Sequence, residues 1–292
     1  MSRLTTRQIA GAEELVAHFD RVAPEYVDTH GHRDRLLRYR LAIIERLLGD
    51  VRRGTLLEIG CGRAIHLIPL AAGFERAVGT DASAEMVRMA RAAADASASS
   101  ARIELRVDPA ERLDTVADGS VDAVLCVGAI EHMLDRAGAL AQVRRVLAPG
   151  GIFVCLTPNG DYCWYRVLAP LLRLDTRHLS TDRFLSAGEL RELVRAAGLA
   201  PHASEQWRFI PKGDLPMVWG AVLHGLDYAG RVAHAGRLRG GLALSARPSD
   251  GKQGADRSRG SVASARSSPQ GVRLLKAQPQ RGPDRNAGLT RC

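Results

Sequence analysis

The stretch that decides the fold is Thr55-Leu56-Leu57-Glu58-Ile59-Gly60-Cys61-Gly62, an apolar run that stops abruptly on two glycines. A short apolar run ending in glycine reads as a buried strand followed by a tight turn, because glycine alone lets backbone turn there and approach a ligand with no Cβ in the way. About twenty residues on, a second run, Ala77-Val78-Gly79-Thr80, ends in Asp81. An acid at that point is placed to accept hydrogen bonds from two ribose hydroxyls, so strand, glycine turn, helix, strand and acid together outline a nucleotide-type cofactor site.

Working outward, Ala64 to Ala72 reads as helix, distorted or restarted by Pro69 and ended by Gly73. Ser83 caps a helix with Glu85 in its first turn and with Met86, Met89, Ala90 and Ala93 on one face. A third strand, Ile103 to Val107, ends at Asp108, and Asp118-Gly119-Ser120 makes a turn before the strand Val121 to Val127. A helix with Leu140, Val143, Val146 and Leu147 follows, and Pro149-Gly150-Gly151 breaks it before the strand Ile152 to Leu156. Strict alternation of β and α predicts an α/β, doubly wound, Rossmann-like sheet with its ligands at the carboxyl ends of the strands, where Gly60, Asp81, Asp108, Gly128 and Thr157 all fall.

Composition bounds the rest. The chain of 292 residues carries a net charge of +9, but the nine basic and three acidic residues from Ser249 to Cys292 place +6 of it in the tail. That tail is rich in Gly, Ser, Pro and Gln, a composition that predicts disorder and makes a nucleic-acid footprint on the folded part unexpected. The domain reading is therefore an N-terminal helical cap over 1–50, a cofactor-binding domain over 51–248 and a disordered basic tail over 249–292. No run approaches a membrane span, the start lacks the apolar core of a signal peptide, and the five cysteines form no Cys-x-x-Cys pair. A cytoplasmic location is expected.

Set in order, Leu57-Glu58-Ile59-Gly60-Cys61-Gly62, Thr80-Asp81-x-Ser83-x-x-Met86, Asp118-Gly119-Ser120-x-Asp122, Ile130-Glu131-His132 and Leu147-x-Pro149-Gly150-Gly151 resemble the class I S-adenosylmethionine-dependent methyltransferases of the small-molecule type. Thr157-Pro158-Asn159, Phe184-Leu185-Ser186-x-x-Glu189-Leu190 and Ala197-Gly198-Leu199 continue the likeness, which covers roughly residues 15 to 248. The resemblance implies a seven-stranded sheet whose last strand, near Leu242 to Ala246, runs antiparallel. It implies S-adenosylmethionine as cofactor, with Gly60, Cys61 and Gly62 passing close to its methionine part, Glu58 orienting that loop and Asp81 on the ribose, with Ala82 and Met86 beside it. Asp108, Pro109 and Ala110 would meet the adenine, although Asp108 to Leu113 is one residue longer than the family's usual segment, and Gly128 would complete the site. Ala64 stands where a third glycine is frequent, which suits negative φ, and Ile65 at the last glycine position of a dinucleotide fingerprint disfavours NAD.

Methyl transfer from a sulfonium is an in-line displacement that needs alignment more than acid–base help. Where the acceptor holds a proton, His132 is the candidate base, against a capping or packing role at a helix start. The resemblance implies a lid in His18 to Tyr26, with Phe19 and Tyr26 over the site, and His178 is a weaker substrate-side candidate. The quinone-pathway O-methyltransferases hold a divalent metal with Glu-x-x-Glu-His; here Gly128 replaces the first acid, leaving Glu131 and His132, so no metal is expected. The aromatic insertions Tyr162 to Leu174 and Trp207 to Tyr228 are read as acceptor-side surface, a weak membrane contact, or plain core. The expected function is methylation of a small-molecule acceptor, at a hydroxyl or phenol oxygen. A non-catalytic binding protein of the same fold, or a nucleic-acid or protein methyltransferase, stays open at this point.

Overall fold

The computed structural model describes residues 6–25, 33–172, 177, 179–209 and 217–249. The predicted tail, but for Ser249, lies outside the described residues, as do Tyr26 and His178. In chain order the elements are α1 (Ala12–Val22), α2 (Arg33–Leu48), β1 (Thr55–Ile59), α3 (Leu67–Ala71), β2 (Arg76–Asp81), α4 (Ala84–Asp95), β3 (Ile103–Val107), β4 (Val121–Val127), α5 (Arg136–Val146), β5 (Leu147–Pro158), α6 (Ala169–Leu171) after a π-helical turn, α7 (Ala187–Ala196), β6 (Leu199–Trp207), α8 (Met217–Val232) and β7 (Gly241–Pro248).

The seven strands form one sheet in the order β3-β2-β1-β4-β5-β7-β6, with β7 antiparallel to both of its neighbours and the other pairs parallel. The near-continuous apolar strands are explained by burial on both faces. Leu57, Val124, Cys126, Phe153 and Cys155 point to the layer formed by α5 and α7, where Leu140, Val143, Leu190 and Val194 meet them. Their sequence neighbours Leu56, Ala123, Leu125, Ile152 and Val154 point the opposite way, to Ile43, Ile44 and Leu48 of α2 and Leu67 and Val87 of α3 and α4. This alternation, period two along the central strands, buries both sets at once and forbids a one-residue slip in register.

Three local expectations change. Helix α3 spans only Leu67–Ala71 rather than starting at Ala64, because Ala64 itself adopts φ +57° and cannot be helical. The buried stripe of α4 is Met86, Val87, Ala90 and Ala94, while Ala93 is exposed, a phase shift set by the strands beneath rather than by composition. The break at Pro149-Gly150-Gly151 falls inside β5, which begins at Leu147 paired to Val121.

Strand order reverses between β1 and β4, so the loops after them diverge and open a crevice at their carboxyl ends. The two loops start in close approach: a Cβ at Gly60 would lie 2.6 Å from the Ala129 Cβ, which only glycine avoids. Among the described residues no helix is long and apolar enough to cross a membrane.

Candidate functional site

On the β1 side of the crevice the backbone turns through Gly60 (φ +61°) and Gly62 (φ +51°). Asp81, at the end of β2, ties this turn in place: its Oδ2 accepts from the Gly62 amide at 2.8 Å and its Oδ1 from the Ser83 amide at 2.9 Å. Each carboxylate oxygen keeps acceptor capacity beyond these bonds. Burial pushes the Asp81 carboxyl above its ordinary pKa, against the pull of the two amides. A Cβ added at Gly62 would meet nothing within 4 Å, so the turn faces open space rather than packed protein. Glu58 is buried beneath, with Oε1 3.3 Å from His66 Nδ1 and Oε2 without a hydrogen-bond partner. Cys61 donates its amide to Thr80, and its buried thiol is pushed well above the ordinary range, first by burial and then by Asp81 and Glu58. Ala64, expected at negative φ, instead repeats the left-handed conformation of the two glycines, an alanine held where a glycine is easier.

Ala82 follows directly, and Ser83 caps α4 by accepting from the Met86 amide at 3.0 Å. Helix α1 reaches in here: Asp20 Oδ1 accepts from the Ser83 hydroxyl at 2.6 Å and from the Glu85 amide at 3.1 Å.

Asp108 stands at the end of β3 as expected, its amide donating to Asp81. Its carboxylate, however, folds back on its own loop, accepting from the Thr115 amide at 2.8 Å, the Thr115 hydroxyl at 2.6 Å and the Asp114 amide at 3.2 Å. The extra residue in Asp108-Pro109-Ala110-Glu111-Arg112-Leu113 is absorbed by this closed loop, in which Leu113 takes φ +46° and Ala110 is buried.

On the β4 side, Gly128 (φ +66°) leads into the loop that carries Glu131 and His132. His132 Nδ1 lies 2.7 Å from Asp182 Oδ1, and Asp182 Oδ2 accepts from the Leu179 amide at 2.9 Å. The Asp182 side chain is wholly buried while His132 remains 22% exposed, so the carboxylate is fixed and the imidazole is reachable. Burial works against a charge on His132, but the hydrogen bond to Asp182 and the nearby Glu131 and Asp182 charges outweigh it and raise its pKa. Arg136 staples the two loops, donating to the carbonyls of Ile130, Glu131 and Thr181. Buried Glu131 accepts from the Thr157 hydroxyl at 3.0 Å, and burial raises its pKa. Phe19 of α1 packs edge-on against the His132 ring with centroids 5.5 Å apart.

Helix α1 therefore brings Phe19 to His132 and Asp20 to the α4 start, on the two sides of the crevice. The capping alternative for His132 does not apply, since α5 begins at Arg136 with Asp135 as its cap. Among the described residues no three His, Cys, Asp or Glu side chains gather as a metal shell. Tyr162, Trp164 and Trp207 are buried, which assigns those parts of the aromatic insertions to core, while Tyr228 is exposed. Sequence reasoning missed Asp182 and Arg136: a partner fifty residues from His132 in sequence has no local signature.

Residues 57–155 match the model of the family described as Methyltransferase domain. The chain is 29% identical over 215 residues to the ubiquinone biosynthesis O-methyltransferase of Ruegeria pomeroyi, covering 67% of this chain and 86% of that protein. It is 32% identical over 189 residues to an uncharacterized 37.1 kDa protein in transposon TN4556 of Streptomyces fradiae, covering 61% of this chain but only 52% of that protein's length. Among solved structures, the [4+2]-cyclase SpnF superposes with a TM-score of 0.57 at 21% identity, covering 85% of this chain and all of that one. The geranyl diphosphate C-methyltransferase of Streptomyces coelicolor does so with a TM-score of 0.54 at 16% identity, covering 80% and 82%. At these identities the structures share a fold, and a cyclase among them makes plain that the fold alone does not name the reaction.

Proposed function

We propose that this chain, which carries a class I S-adenosylmethionine-dependent methyltransferase domain, methylates a hydroxyl or phenol oxygen of a small-molecule acceptor with His132 as base. The single observation that carries the choice of oxygen is the 2.7 Å pair of His132 Nδ1 with buried Asp182 at the carboxyl end of β4. An amine acceptor already in its free form needs no base, whereas a hydroxyl must lose its proton as it attacks.

The residues present fit the donor. Gly62 offers open backbone, Asp81 retains acceptor capacity at the expected ribose position, and Glu58 Oε2 is a buried acceptor awaiting a donor. Cys61 lies within that turn, Ala82 and Met86 would stand beside the ribose, and Asp108, Pro109 and Ala110 would border the adenine through their loop backbone. When bound, S-adenosylmethionine would supply an electrophilic methyl carbon to the acceptor oxygen, with S-adenosylhomocysteine as the leaving group. Asp182 accepts from His132 Nδ1–H and thereby fixes the tautomer, which leaves Nε2 free to take the acceptor proton. Asp182 is thus a positioning residue. Phe19 shields that imidazole from water, as a lid does. The likeness to ubiquinone biosynthesis O-methyltransferases supports O-methylation of a small molecule.

The test is formation of S-adenosylhomocysteine from S-adenosylmethionine across phenols, aliphatic hydroxy compounds and amines, with wild type and His132→Gln. Turnover confined to hydroxyl acceptors and lost in the variant is expected. Turnover of amines only, or of phenols at wild-type rate in His132→Gln, would overturn the reading.

A further inference from the structure

The segment before α1 is sewn to the loop that carries Asp182. Arg7 forms a parallel bridge with Leu179, its carbonyl accepts from the Ser180 amide at 2.8 Å, and the Ile9 amide donates to the Ser180 hydroxyl at 2.9 Å. These bonds tie the Arg7 backbone to the loop that carries the positioning carboxylate. Yet Arg7 Nε is buried without a hydrogen-bond partner, and no carboxylate among the described residues pairs with its guanidinium. A second orphan lies nearby: His18 Nδ1 is also buried and unpartnered, in a ring ladder that runs from His18 to Phe19 (5.4 Å) and on to His132 (5.5 Å). Burial, Arg7, Arg21 and His132 lower the His18 pKa, against Asp182, so these side chains lie within electrostatic reach of one another.

A buried polar group left unpaired costs about 1–3 kcal/mol, so each such group in a folded protein calls for an explanation. Here His18 reaches the base through Phe19, and Arg7 sits against the loop that carries the base's partner Asp182 and bears on His18. The lacking partner is an acceptor of hydrogen bonds, and the Arg7 guanidinium, which no carboxylate among the described residues pairs, calls for a negative one. Guanidinium matches a carboxylate or phosphate with parallel hydrogen bonds, and imidazole adds one more donor when its Nδ1 carries the proton.

We propose that Arg7 and His18 form a subsite for an oxyanion carried by the acceptor, a carboxylate or phosphate attached to the molecule whose hydroxyl His132 deprotonates. This rests on the reading of the chain as an O-methyltransferase, and deepens it: the acceptor is a hydroxy acid rather than a neutral phenol. The oxyanion also orients the acceptor, since one end held at Arg7 and the other at His132 fixes the line of attack.

The experiment is calorimetry in the presence of S-adenosylhomocysteine, with three isosteric probes: 4-hydroxyphenylacetate, 4-hydroxybenzylphosphonate and the neutral 4-hydroxyphenylacetamide. Wild type is expected to bind at least one oxyanion at least tenfold tighter than the amide, and which one separates carboxylate from phosphate. Arg7→Gln removes the preference, and His18→Phe reduces it, with S-adenosylhomocysteine binding unchanged in both. Arg7→Lys retains charge without the fork and keeps a smaller preference; it also covers the case in which Arg7→Gln does not fold. Equal binding of acid and amide by wild type, an undiminished preference in the Arg7 variants, or failure of all oxyanions to bind a protein that still binds S-adenosylhomocysteine would each overturn the subsite. Failure of S-adenosylhomocysteine itself to bind counts against the donor reading instead.

Discussion

The two sides of the crevice are built by different means. The β1–β2 side is backbone held by a neighbouring strand: Gly60, Gly62, Asp81 and Ser83 lie within one βαβ unit, and each is positioned by amides a few residues or one strand away. The β4 side is built from long-range side-chain pairs. His132 meets Asp182 across fifty residues, and Ile9 meets Ser180 across 171. A site made by a local turn survives changes elsewhere in the chain, so it suits a shared donor. A site made by distant loops can be rebuilt without disturbing that donor, so it suits an acceptor that differs from one relative to the next.

The largest expected effect breaks the donor side alone. Asp81→Ala removes the acceptor of two backbone amides as well as the expected ribose contact. Donor affinity should fall at least about a hundredfold, on the order of 3 kcal/mol, measured by calorimetry with S-adenosylhomocysteine. An unchanged affinity in a folded Asp81→Ala protein would remove Asp81 from the donor site.

The mirror-image change is His132→Gln. Loss of a general base costs about 10²- to 10⁴-fold in kcat, whereas the dissociation constant for S-adenosylhomocysteine should stay as in wild type. If donor binding falls in parallel, the two sides are not separable as drawn.

Asp182→Asn sharpens the same contrast by acting through His132, with kcat expected to fall while donor binding stays as in wild type. Its pH signature is the more telling readout. Because the His132 pKa is raised, the wild-type rate should climb with pH through a limb above the ordinary imidazole value, and the variant limb should move down. The stability signs agree: a raised folded pKa contributes stability that is full below the unfolded pKa and is lost as pH rises through the folded one. Asp182→Asn should therefore destabilise most in mild acid and least at alkaline pH, read from Tm at several pH values. A limb that stays in place would mean that another group titrates.

The same contrast explains what was legible in the sequence. The strand order, the glycine turn, Asp81 and the Ser83 cap are written in contiguous residues whose propensities agree with the sheet they enter. Ser186 and Glu189, met first as part of a family pattern, close a reciprocal capping box at the start of α7, and that too is local. Ala64 misled because its left-handed backbone is imposed by the turn on a residue that disfavours it. Asp108 kept its place, but the loop length around it redirected its carboxylate onto Thr115, which counting one extra residue could flag without saying how. Asp182 and Arg7 were invisible for the opposite reason. Nothing adjacent to them in sequence distinguishes them from any surface acid or base, and only the folded loops bring Asp182 to His132 and Arg7 to the Asp182 loop.

Helix α1 qualifies the separation, because consecutive residues touch both sides: Phe19 the His132 ring, Asp20 the start of α4. Asp20 acts as a cap supplied from another element, adding an acceptor for the Glu85 amide and for the Ser83 hydroxyl that is itself the helix cap. Removing such a cap costs about 1 kcal/mol, which is about fivefold in an equilibrium constant. If α1 closes over the donor chiefly through this contact, Asp20→Ala should weaken S-adenosylhomocysteine binding by about that factor and leave the pH position of the kcat limb unmoved. A shift of the limb instead would mean that Asp20 sets the position of Phe19 on His132, and that the two sides communicate through α1 rather than merely sharing it.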